Sequence, residues 1–350
     1  MATEDTNLAA WQMEKMAPFT IKEAELWEPG ENEVRIKVRA AAIQPAEGKI
    51  AHQAILPLTY PAILGSTCAG TVDALGANVT KVSVGDRVSG GLANYARRGD
   101  PAHASLQRYT LADVSEVVDI GPDLAFANAV AANSMTPAAS LFKFLGMQYP
   151  GKGDDAEHRG GQKLLIWGGS SAMGVLSVRY AKLAGYTVVT TASKHNHAML
   201  KEAGADVVLD RNDPQILESL KAELPVDFWF DTIALPDTVE LLYKLAEAQR
   251  RSTGKDVHIV TLLPATSPGY PASPEGVTTQ MMLFRGGLEE NKSHVAWLMG
   301  KGGFLETGMK NGSIRGVPAE VVGGLDAVQK ATETIVKGVS AKKLIIDPWL

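Results

Sequence analysis

The segment Leu164-Leu165-Ile166-Trp167-Gly168-Gly169-Ser170-Ser171-Ala172-Met173-Gly174 decides the fold of this chain. Its first four residues form an apolar run typical of a buried strand, and a helical pattern begins at Val175. A strand that passes through a glycine-rich turn into a helix is the context in which backbone N–H groups hold a pyrophosphate. A glycine permits the tight turn, and Gly174 lets the helix approach the strand closely. The segment predicts a Rossmann unit whose phosphate loop begins at Gly168.

The middle glycine of the G-x-G-x-x-G pattern is Ser171 here, so the motif alone is also compatible with a plain Gly/Ser turn between a strand and a helix. The surrounding pattern favours the Rossmann interpretation. We predict strands at 163–167, 187–191, 207–209, 228–231 and 257–262, and helices at about 172–184, 196–203, 214–222 and 236–249. Strands that alternate with helices predict an α/β, doubly wound parallel sheet.

The rest of the chain has different residue patterns. The first third is predicted to be mostly β, with apolar strand patterns at 34–42 and 69–75 and a turn that feeds a strand at 82–88. Residues 126–146 have helical spacing, and a polar loop at 151–161 follows. After Phe284 the pattern is mixed and ends in a helix near 325–337 and a strand at 344–346. A chain of 350 residues has room for two such domains.

Composition excludes several classes of function. The 34 basic and 39 acidic residues give a net charge of -5 and form no long block, so no nucleic-acid partner is expected. The start, Met1 to Trp11, carries Glu4 and Asp5 and does not resemble a secretory signal, and no apolar run is long enough for a membrane span. Cys68 is the only cysteine, which rules out an internal disulfide and predicts a reducing compartment, the cytosol.

The end of the second predicted strand indicates which dinucleotide is bound. A site selective for NAD places Asp or Glu about 20 residues after the glycine loop, on the ribose 2'-hydroxyl. Here Ser193, Lys194 and Asn196 offer a hydroxyl, an ammonium and an amide, and Arg211 after the third strand offers a second cation. These groups suit a 2'-phosphate and predict NADP, while the alternative is that both cations are solvated surface side chains.

Two rival motifs are weaker. The run Gly169-Ser170-Ser171 resembles a hydrolase nucleophile elbow, but Met173 stands where that motif needs glycine. His195 and His197 have the spacing of a ligand pair but lack a neighbouring cysteine or carboxylate cluster. We therefore predict no metal site.

The order of the motifs resembles the medium-chain dehydrogenase/reductase superfamily over nearly the whole chain. The matching pieces are 40–45, 64–72, 84–88, 167–174 and 338–344. In zinc-containing members a Gly-His-Glu stretch and an upstream cysteine hold the catalytic metal, whereas this chain has Gly65-Ser66-Thr67 and Gln44 at those places. The zinc-independent branch is the more similar one, especially the fungal trans-acting enoyl reductases that work with polyketide synthases and the quinone-oxidoreductase-like proteins.

This resemblance implies a domain division and a set of site residues. A GroES-like substrate domain would comprise 1–124 and 286–350, and an NADP-binding Rossmann domain would comprise 125–285. The implied cofactor-binding residues are Lys49, Gly168, Gly169, Ser170, Ser171, Ala172, Met173, Gly174, Ser193, Lys194, His195, Asn196, Arg211, Leu262, Leu263, Lys342 and Lys343. The implied substrate-lining residues are Met135, Thr136, Pro137, Ala138, Ala139, Ser140, Leu141, Phe142, Met282, Leu283 and Phe284. The chain departs from the group at Arg211, where a tyrosine is usual, and in the run Gln44-Pro45-Ala46-Glu47-Gly48-Lys49, which keeps only the proline and lysine of the usual motif.

The resulting hypothesis is an NADPH-dependent enoyl reductase of secondary metabolism that transfers hydride to an α,β-unsaturated thioester. Lys49 and Thr136 are the catalytic candidates, although a plain helix-start hydroxyl is an equally good interpretation of Thr136. Tyr109 is a candidate proton donor or a packing residue in a strand. Two alternatives stay open: reduction of quinones, enones or carbonyls by NADPH, and NADPH binding with little turnover. The expected partners are a small or carrier-bound acyl substrate and a polyketide synthase, for a monomer or homodimer.

Overall fold

The computed structural model describes residues 6–92, 94–151, 161–265 and 269–350. The chain divides into two compact units, a first unit of Met1–Asn133 with Gly286–Leu350 and a second unit of Ser134–Arg285. Parts of two predicted segments, the polar start at residues 1–5 and the loop at residues 152–160, lie outside the described residues. Among the residues that are described, no helix is both long and apolar enough to cross a membrane.

The N-terminal segment of the first unit consists mainly of strands. Its elements are β1 (Leu8–Gln12), β2 (Phe19–Glu23), β3 (Glu33–Ile43), α1 (Pro45–Gln53), β4 (Ala62–Ile63), β5 (Thr67–Leu75), β6 (Arg87–Gly91), β7 (Tyr109–Asp113), β8 (Val117–Asp119) and α2 (Phe126–Ala132).

The second unit alternates strands with helices. It contains α3 (Met135–Ala138), which continues as a π-helix (Ala139–Phe144), then β9 (Lys163–Trp167), α4 (Ala172–Leu183), β10 (Thr187–Ala192), α5 (His197–Glu202), β11 (Val207–Asp210), α6 (Ile216–Lys221), β12 (Phe228–Asp231), α7 (Pro236–Thr253), β13 (Val257–Thr261) and β14 (Val277–Met281). The C-terminal segment returns to the first unit with α8 (Lys292–Met299), α9 (Phe304–Lys310), β15 (Ala319–Gly323), α10 (Val328–Lys337) and β16 (Lys343–Ile346).

The second unit is a Rossmann fold, as the sequence predicted. Its six strands lie in the order β11-β10-β9-β12-β13-β14, and each neighbouring pair is parallel. The strand order reverses beside β9, so the segments that follow β9 and β12 meet at the carboxyl edge of the sheet. In a parallel α/β sheet this switch point is where nucleotides bind.

The first unit is the mostly β domain. A seven-stranded sheet has the order β15-β16-β3-β5-β6-β8, with β7 also paired to β3, and a three-stranded sheet has the order β2-β1-β4. The C-terminal strand β16 is antiparallel to β3, with Leu344 opposite Ile43. The first third and the last residues of the chain therefore form one sheet, which is the GroES-like arrangement.

Each unit has its own hydrophobic core, formed by the apolar strand runs. In the first unit Ile36, Val38 and Ile346 are fully buried in one cluster. In the second unit Val189, Leu245 and Ile259 belong to another cluster, with at most 1% of their surface exposed. The runs in the second unit are nearly continuous because a parallel sheet is covered on both faces.

Three elements differ from the predictions. Helix α1 lies inside the region predicted to be mostly β, and strand β14 was not predicted because Thr278 and Gln280 interrupt its apolar pattern with exposed side chains. The predicted domain boundary at residue 124 precedes α2, whereas the structure includes α2 in the first unit. Helix α2 packs against β3 there, and Gly316 lies so close that a Cβ would be 2.2 Å from the carbonyl oxygen of Ala131.

Candidate functional site

The loop between β9 and α4 is tightly built around glycines. Gly168 has a φ of +81°, a conformation that favours glycine, and a Cβ on Gly169 would lie 2.1 Å from the Thr190 hydroxyl oxygen. A Cβ on Gly174 would lie 2.4 Å from the carbonyl oxygen of Gly168. Both the tight turn and the close approach of helix to strand that the sequence suggested are present.

Ser171, which replaces the middle glycine of the motif, caps α4. Its Oγ accepts the N–H of Gly174 at 2.9 Å and donates to the Thr232 hydroxyl at 3.0 Å. The Thr232 hydroxyl lies 2.9 Å from the carbonyl oxygens of Trp167 and Gly168, so it ties the loop to the end of β12. With Gly174 capped, the N–H groups of the first residues of α4, Ala172 and Met173, face out of the helix start, where an anion binds.

A second helix start lies next to this loop. The Ser134 hydroxyl, at the N-cap of α3, is 3.4 Å from the sulfur of Met173. Met135 and Thr136 in the first turn of α3 are partly exposed, whereas the other predicted substrate-lining residues of this helix are buried: Pro137, Ala138, Ala139, Ser140, Leu141 and Phe142. Phe142 stacks on Tyr149 with ring centroids 5.1 Å apart. Burial favours a packing role for these six side chains and leaves Met135 and Thr136 accessible.

The ends of β10 and β11 bring the predicted phosphate-binding residues together. The Arg211 guanidinium Nε lies 3.0 Å from the Ser193 hydroxyl oxygen, and the backbone N–H of Arg211 donates to the carbonyl of Ala192 at 3.1 Å. Lys194 is exposed beside Ser193, as is His195, while Asn196 is buried. The carboxylate of Asp210 accepts the N–H of Asn212 in its own turn at 3.0 Å. A hydroxyl and two cationic side chains therefore share this corner.

The remaining predicted residues of the second unit follow strands β13 and β14. Leu262 and Leu263 come directly after β13, and Leu262 donates its N–H to the carbonyl of Asp231 at 3.2 Å. Met282 donates to the carbonyl of Thr261 at 2.8 Å, and Leu283 and Phe284 continue from it. All of these segments lie at the carboxyl edge that also carries the glycine loop.

In the first unit, side chains from α1, β16 and the start of β5 form a polar cluster. Its members are Gln44, Glu47, Ser66, Thr67 and Lys343, which we call the Gln44 cluster. Glu47 and Lys343 are 0% and 3% exposed, whereas the other three are partly exposed. Glu47 accepts a hydrogen bond from the Ser66 hydroxyl at 2.7 Å and one from the backbone N–H of Gln44 at 2.8 Å. The Lys343 ammonium donates to the side-chain oxygen of Gln44.

Burial acts on both charged members of the cluster. Burial raises the pKa of Glu47, and the hydrogen bonds from the Ser66 and Tyr95 hydroxyls and the nearby Lys343 charge lower it in part. Burial lowers the pKa of Lys343 to about 8, while the charge of Glu47 opposes that shift. Since a buried ionisable group is costly unless it is hydrogen-bonded, the bonds from Ser66 to Glu47 and from Lys343 to Gln44 offset part of that cost.

Three other predicted residues lie apart from this cluster. Lys49 is on α1, and within the described part of the chain it makes no hydrogen bond or ion pair. Lys342, unlike its neighbour Lys343, extends outward to Glu320 with an Nζ–Oε2 distance of 2.7 Å. Tyr109 is buried in β7 and packs edge to face against Trp349, with centroids 5.8 Å apart, which favours its packing interpretation.

The donor set in the Gln44 cluster does not suit zinc. Zinc sites in proteins use thiolate, imidazole and carboxylate ligands, whereas Gln44, Ser66 and Thr67 provide an amide and two hydroxyls. Glu47, the one carboxylate, already accepts hydrogen bonds and faces Lys343. His197 contacts the backbone carbonyl of Ala192 at 3.2 Å, and no group of three potential ligands occurs among the described residues.

Sequence reasoning missed several side chains that shape these sites. Thr232 and Ser134 support the glycine loop from distant segments, and no local motif marks either one. Glu47 and Ser66 were quoted only as parts of motifs. A helix-start pattern was visible in Gln44-Pro45-Ala46-Glu47, because a proline at the first helical position and a glutamate three residues after the cap are typical of an N-terminus.

Comparison with known proteins agrees with this geometry. The family model for the alcohol dehydrogenase GroES-like domain matches residues 30–135, and that for the zinc-binding dehydrogenase matches residues 172–253. The dehydrogenase azaJ of Aspergillus niger is 31% identical over 97% of this chain and 99% of its own length. The trans-enoyl reductase himH of Aspergillus japonicus is 30% identical over 97% of each protein.

Solved structures share the fold. A quinone oxidoreductase from Coxiella burnetii superposes with a TM-score of 0.66 at 21% identity, covering 97% of this chain and 99% of that one. A putative zinc-dependent alcohol dehydrogenase protein from Rhizobium etli has a TM-score of 0.76 at 20% identity, covering 97% of this chain and 98% of that one. With a Rossmann unit, a GroES-like unit and full-length relatives, the chain belongs to the medium-chain dehydrogenase/reductase superfamily of nicotinamide-dependent oxidoreductases.

Proposed function

We propose that this oxidoreductase is a zinc-independent, NADPH-dependent enoyl reductase that acts on α,β-unsaturated thioesters. The observation that carries the choice of cofactor is the contact between Arg211 and Ser193, beside Lys194, at the ends of β10 and β11. The choice of reaction is supported by full-length relatives that are trans-enoyl reductases, and by a Gln44 cluster whose donors do not suit a catalytic zinc.

The second unit has the groups that a dinucleotide needs. The pyrophosphate would accept the N–H groups at the start of α4, and the 2'-phosphate would accept hydrogen bonds from Ser193, Lys194 and Arg211. His195, Asn196, Leu262 and Leu263 would complete the pocket walls at the same sheet edge. When bound, the reduced nicotinamide supplies a hydride for a polarised double bond.

The chain's own residues would orient the substrate. Met135 and Thr136 are the partly exposed residues of α3 beside the phosphate loop, and Met282, Leu283 and Phe284 follow β14. In the first unit, Lys49 is the cation that we assign to the cofactor or the substrate, whereas Lys343 is buried and donates to Gln44. Lys342 is a weaker candidate because its ammonium is paired with Glu320.

The proposed setting is the cytosol, with a substrate carried by a polyketide synthase and a monomeric or dimeric enzyme. The trans-enoyl reductase relatives support the synthase as partner. A second candidate reaction is the reduction of free quinones, enones or carbonyl compounds by NADPH, and a quinone oxidoreductase shares the fold of this chain. A protein that binds NADPH with little turnover is the remaining candidate.

The cofactor assignment is tested by titrating NADPH and NADH separately and following protein fluorescence. Arg211→Ala and Lys194→Ala should each weaken NADPH binding roughly tenfold or more, since a charge-assisted hydrogen bond contributes about 1.5–3 kcal/mol. NADH binding should not change. Arg251→Ala, which removes an exposed arginine from α7, is the matched control and should leave both affinities unchanged. Equal affinity of the unaltered protein for NADPH and NADH would refute the 2'-phosphate site.

The reaction is tested with NADPH carrying deuterium at the transferable position. Turnover of a short enoyl thioester should place deuterium on the β carbon and leave the carbonyl intact. Deuterium on a carbonyl carbon, or turnover of quinones alone, would favour the second candidate. If none of the acceptors oxidises NADPH, the remaining candidate is a protein that binds NADPH with little turnover. Zinc should be absent at stoichiometric level, and a chelator should not reduce turnover.

A further inference from the structure

The Gln44 cluster combines two buried ionisable side chains with partly exposed residues. Glu47 and Lys343 are almost completely buried, whereas Gln44 and Thr67 are partly exposed. Two neighbouring buried charges are weak evidence for stability by themselves, because desolvation costs about as much as their attraction returns. Their consequence lies in the orientation that they give to the partly exposed polar groups beside them.

Lys343 fixes the orientation of the Gln44 side-chain amide. An ammonium has three donors and no acceptor, so the amide must present its oxygen, and Lys343 donates to Gln44 Oε1. The amide nitrogen then faces the other way, where one of its hydrogens reaches the Thr67 hydroxyl oxygen at 3.2 Å. An amide NH₂ has two hydrogens, so one N–H of Gln44 remains.

The two hydroxyls of the cluster, those of Ser66 and Thr67, differ in whether their hydrogen already has an acceptor. The hydrogen of Ser66 is used, because Ser66 Oγ donates to Glu47 at 2.7 Å. Thr67 accepts from Gln44, so its own hydrogen is free to donate. Within the described ranges, neither this hydrogen nor the second N–H of Gln44 has an acceptor. The cluster thus has two neighbouring donors on partly exposed residues, while its two ionisable side chains are buried.

We propose that the second N–H of Gln44 and the hydroxyl of Thr67 together bind the carbonyl oxygen of the unsaturated substrate. This inference rests on the proposed reductase function. As a hydride from the reduced cofactor bonds to the β carbon, the π electrons of the double bond shift toward the carbonyl oxygen, and a proton from water later bonds to the α carbon. Fixed donors that face an oxygen on which negative charge grows stabilise the transition state more than the ground state.

In this arrangement Lys343 is a positioning residue. It acts through Gln44, since without the ammonium the amide is free to rotate by half a turn and present its oxygen to the substrate. An oxygen in that place would repel the developing charge. The substrate class is therefore an activated alkene whose carbonyl accepts two hydrogen bonds, such as a thioester or an enone.

The test uses substitutions that preserve shape. Gln44→Glu keeps the size and still pairs with Lys343 but has no N–H to donate, and Thr67→Val keeps the branched shape but removes the hydroxyl. Each should lower kcat for an enoyl thioester on the order of 100-fold, with NADPH affinity unchanged. Thr67→Ser restores the donor and should recover most of kcat. Thr71→Val, on the same strand β5, is the matched control and should behave like the unaltered protein.

A spectroscopic readout separates substrate binding from a structural role. The carbonyl stretching band of a saturated thioester bound to the protein with NADP⁺ should shift to lower frequency relative to water-free solvent. Thr67→Val and Gln44→Glu should each remove part of that shift. The inference is overturned if both variants keep kcat and the band position while the unaltered protein reduces the thioester. If the unaltered protein reduces no activated alkene, the proposed function fails first, and the substrate assigned to these donors fails with it.

Discussion

Individual residues build the candidate sites through two kinds of contact, local ones in the glycine loop and long-range ones between distant segments. A turn at Gly168 and close packing at Gly174 concern atoms within a few positions of each other along the chain. The supports of the loop were not predicted, since Thr232 contacts Ser171 across 61 positions. The Gln44 cluster was missed for the same reason, because Lys343 and Gln44 are 299 positions apart.

Gly174→Ala tests the close approach of α4 to β9. The added methyl would meet the Gly168 carbonyl oxygen at 2.4 Å, so the backbone must shift, and overpacking of this kind costs about 1–3 kcal/mol. We expect a lower free energy of unfolding in urea and weaker NADPH binding. Gly287→Ala is the control, since a methyl there has no neighbour within 4 Å. Equal stability of the two variants would contradict the packing argument.

At the scale of elements, continuous apolar runs defined strands to within one or two residues. Strands β9 and β12 have the predicted bounds, whereas the exposed edge strand β14 was missed because its pattern is mixed. Helix α7 was predicted to end at residue 249 but continues to Thr253, where Gly254 with a φ of +69° ends it. Helix length is thus decided by the cap as well as by the apolar pattern.

Asp231 at the end of β12 should make stability depend on pH. Burial raises the pKa of Asp231 to about 6 from an ordinary value of 3.8, despite hydrogen bonds from Ala234, Ile233 and Thr238 that lower it. The folded chain therefore holds this proton more tightly than the unfolded chain. The stabilisation is complete below pH 3.8 and is lost as the pH rises through about 6, by at most about 3 kcal/mol.

Asp231→Asn should remove this component from urea unfolding measured between pH 4 and 7. The exposed Asp237→Asn in the first turn of α7 is the control and should retain it. A pH profile of Asp231→Asn that parallels the unaltered protein would show that the carboxyl is already ionised throughout that range.

At the scale of the whole molecule, the sequence predicted a parallel α/β unit and a mostly β unit from local patterns. The resemblance implied only that residues 286–350 complete the GroES-like domain, and the pairing of the last strand, β16, with β3 was not predicted. Pairing between Leu344 and Ile43 has no local signal, because it depends on which segments meet after the intervening unit has formed. The assignment of substrate binding to the first unit and of cofactor binding to the second stays a prediction.

Ile345→Ala tests how strongly β16 holds the first unit together. Ile345 is fully buried, and such truncations cost about 2–5 kcal/mol. Hydrogen exchange should accelerate in β3 and in β15 as well as in β16, because β16 pairs with both. Val336→Ala on α10, which is 38% exposed, is the control. Faster exchange confined to the last residues would mean that β16 frays independently.

The π-helix that follows α3 makes one stretch of the chain sensitive to the number of its residues rather than to the identity of its side chains. Leu145 donates its N–H to the carbonyl of Ser140 at 3.0 Å, a bond that spans five residues where an α-helix spans four. Deleting a single residue from Ala139–Phe144 would restore α-helical winding and turn everything beyond it by about 100° relative to Met135 and Thr136. A substitution changes one side chain at a time. Gain or loss of a single residue here would rotate a whole helical face beside the phosphate loop.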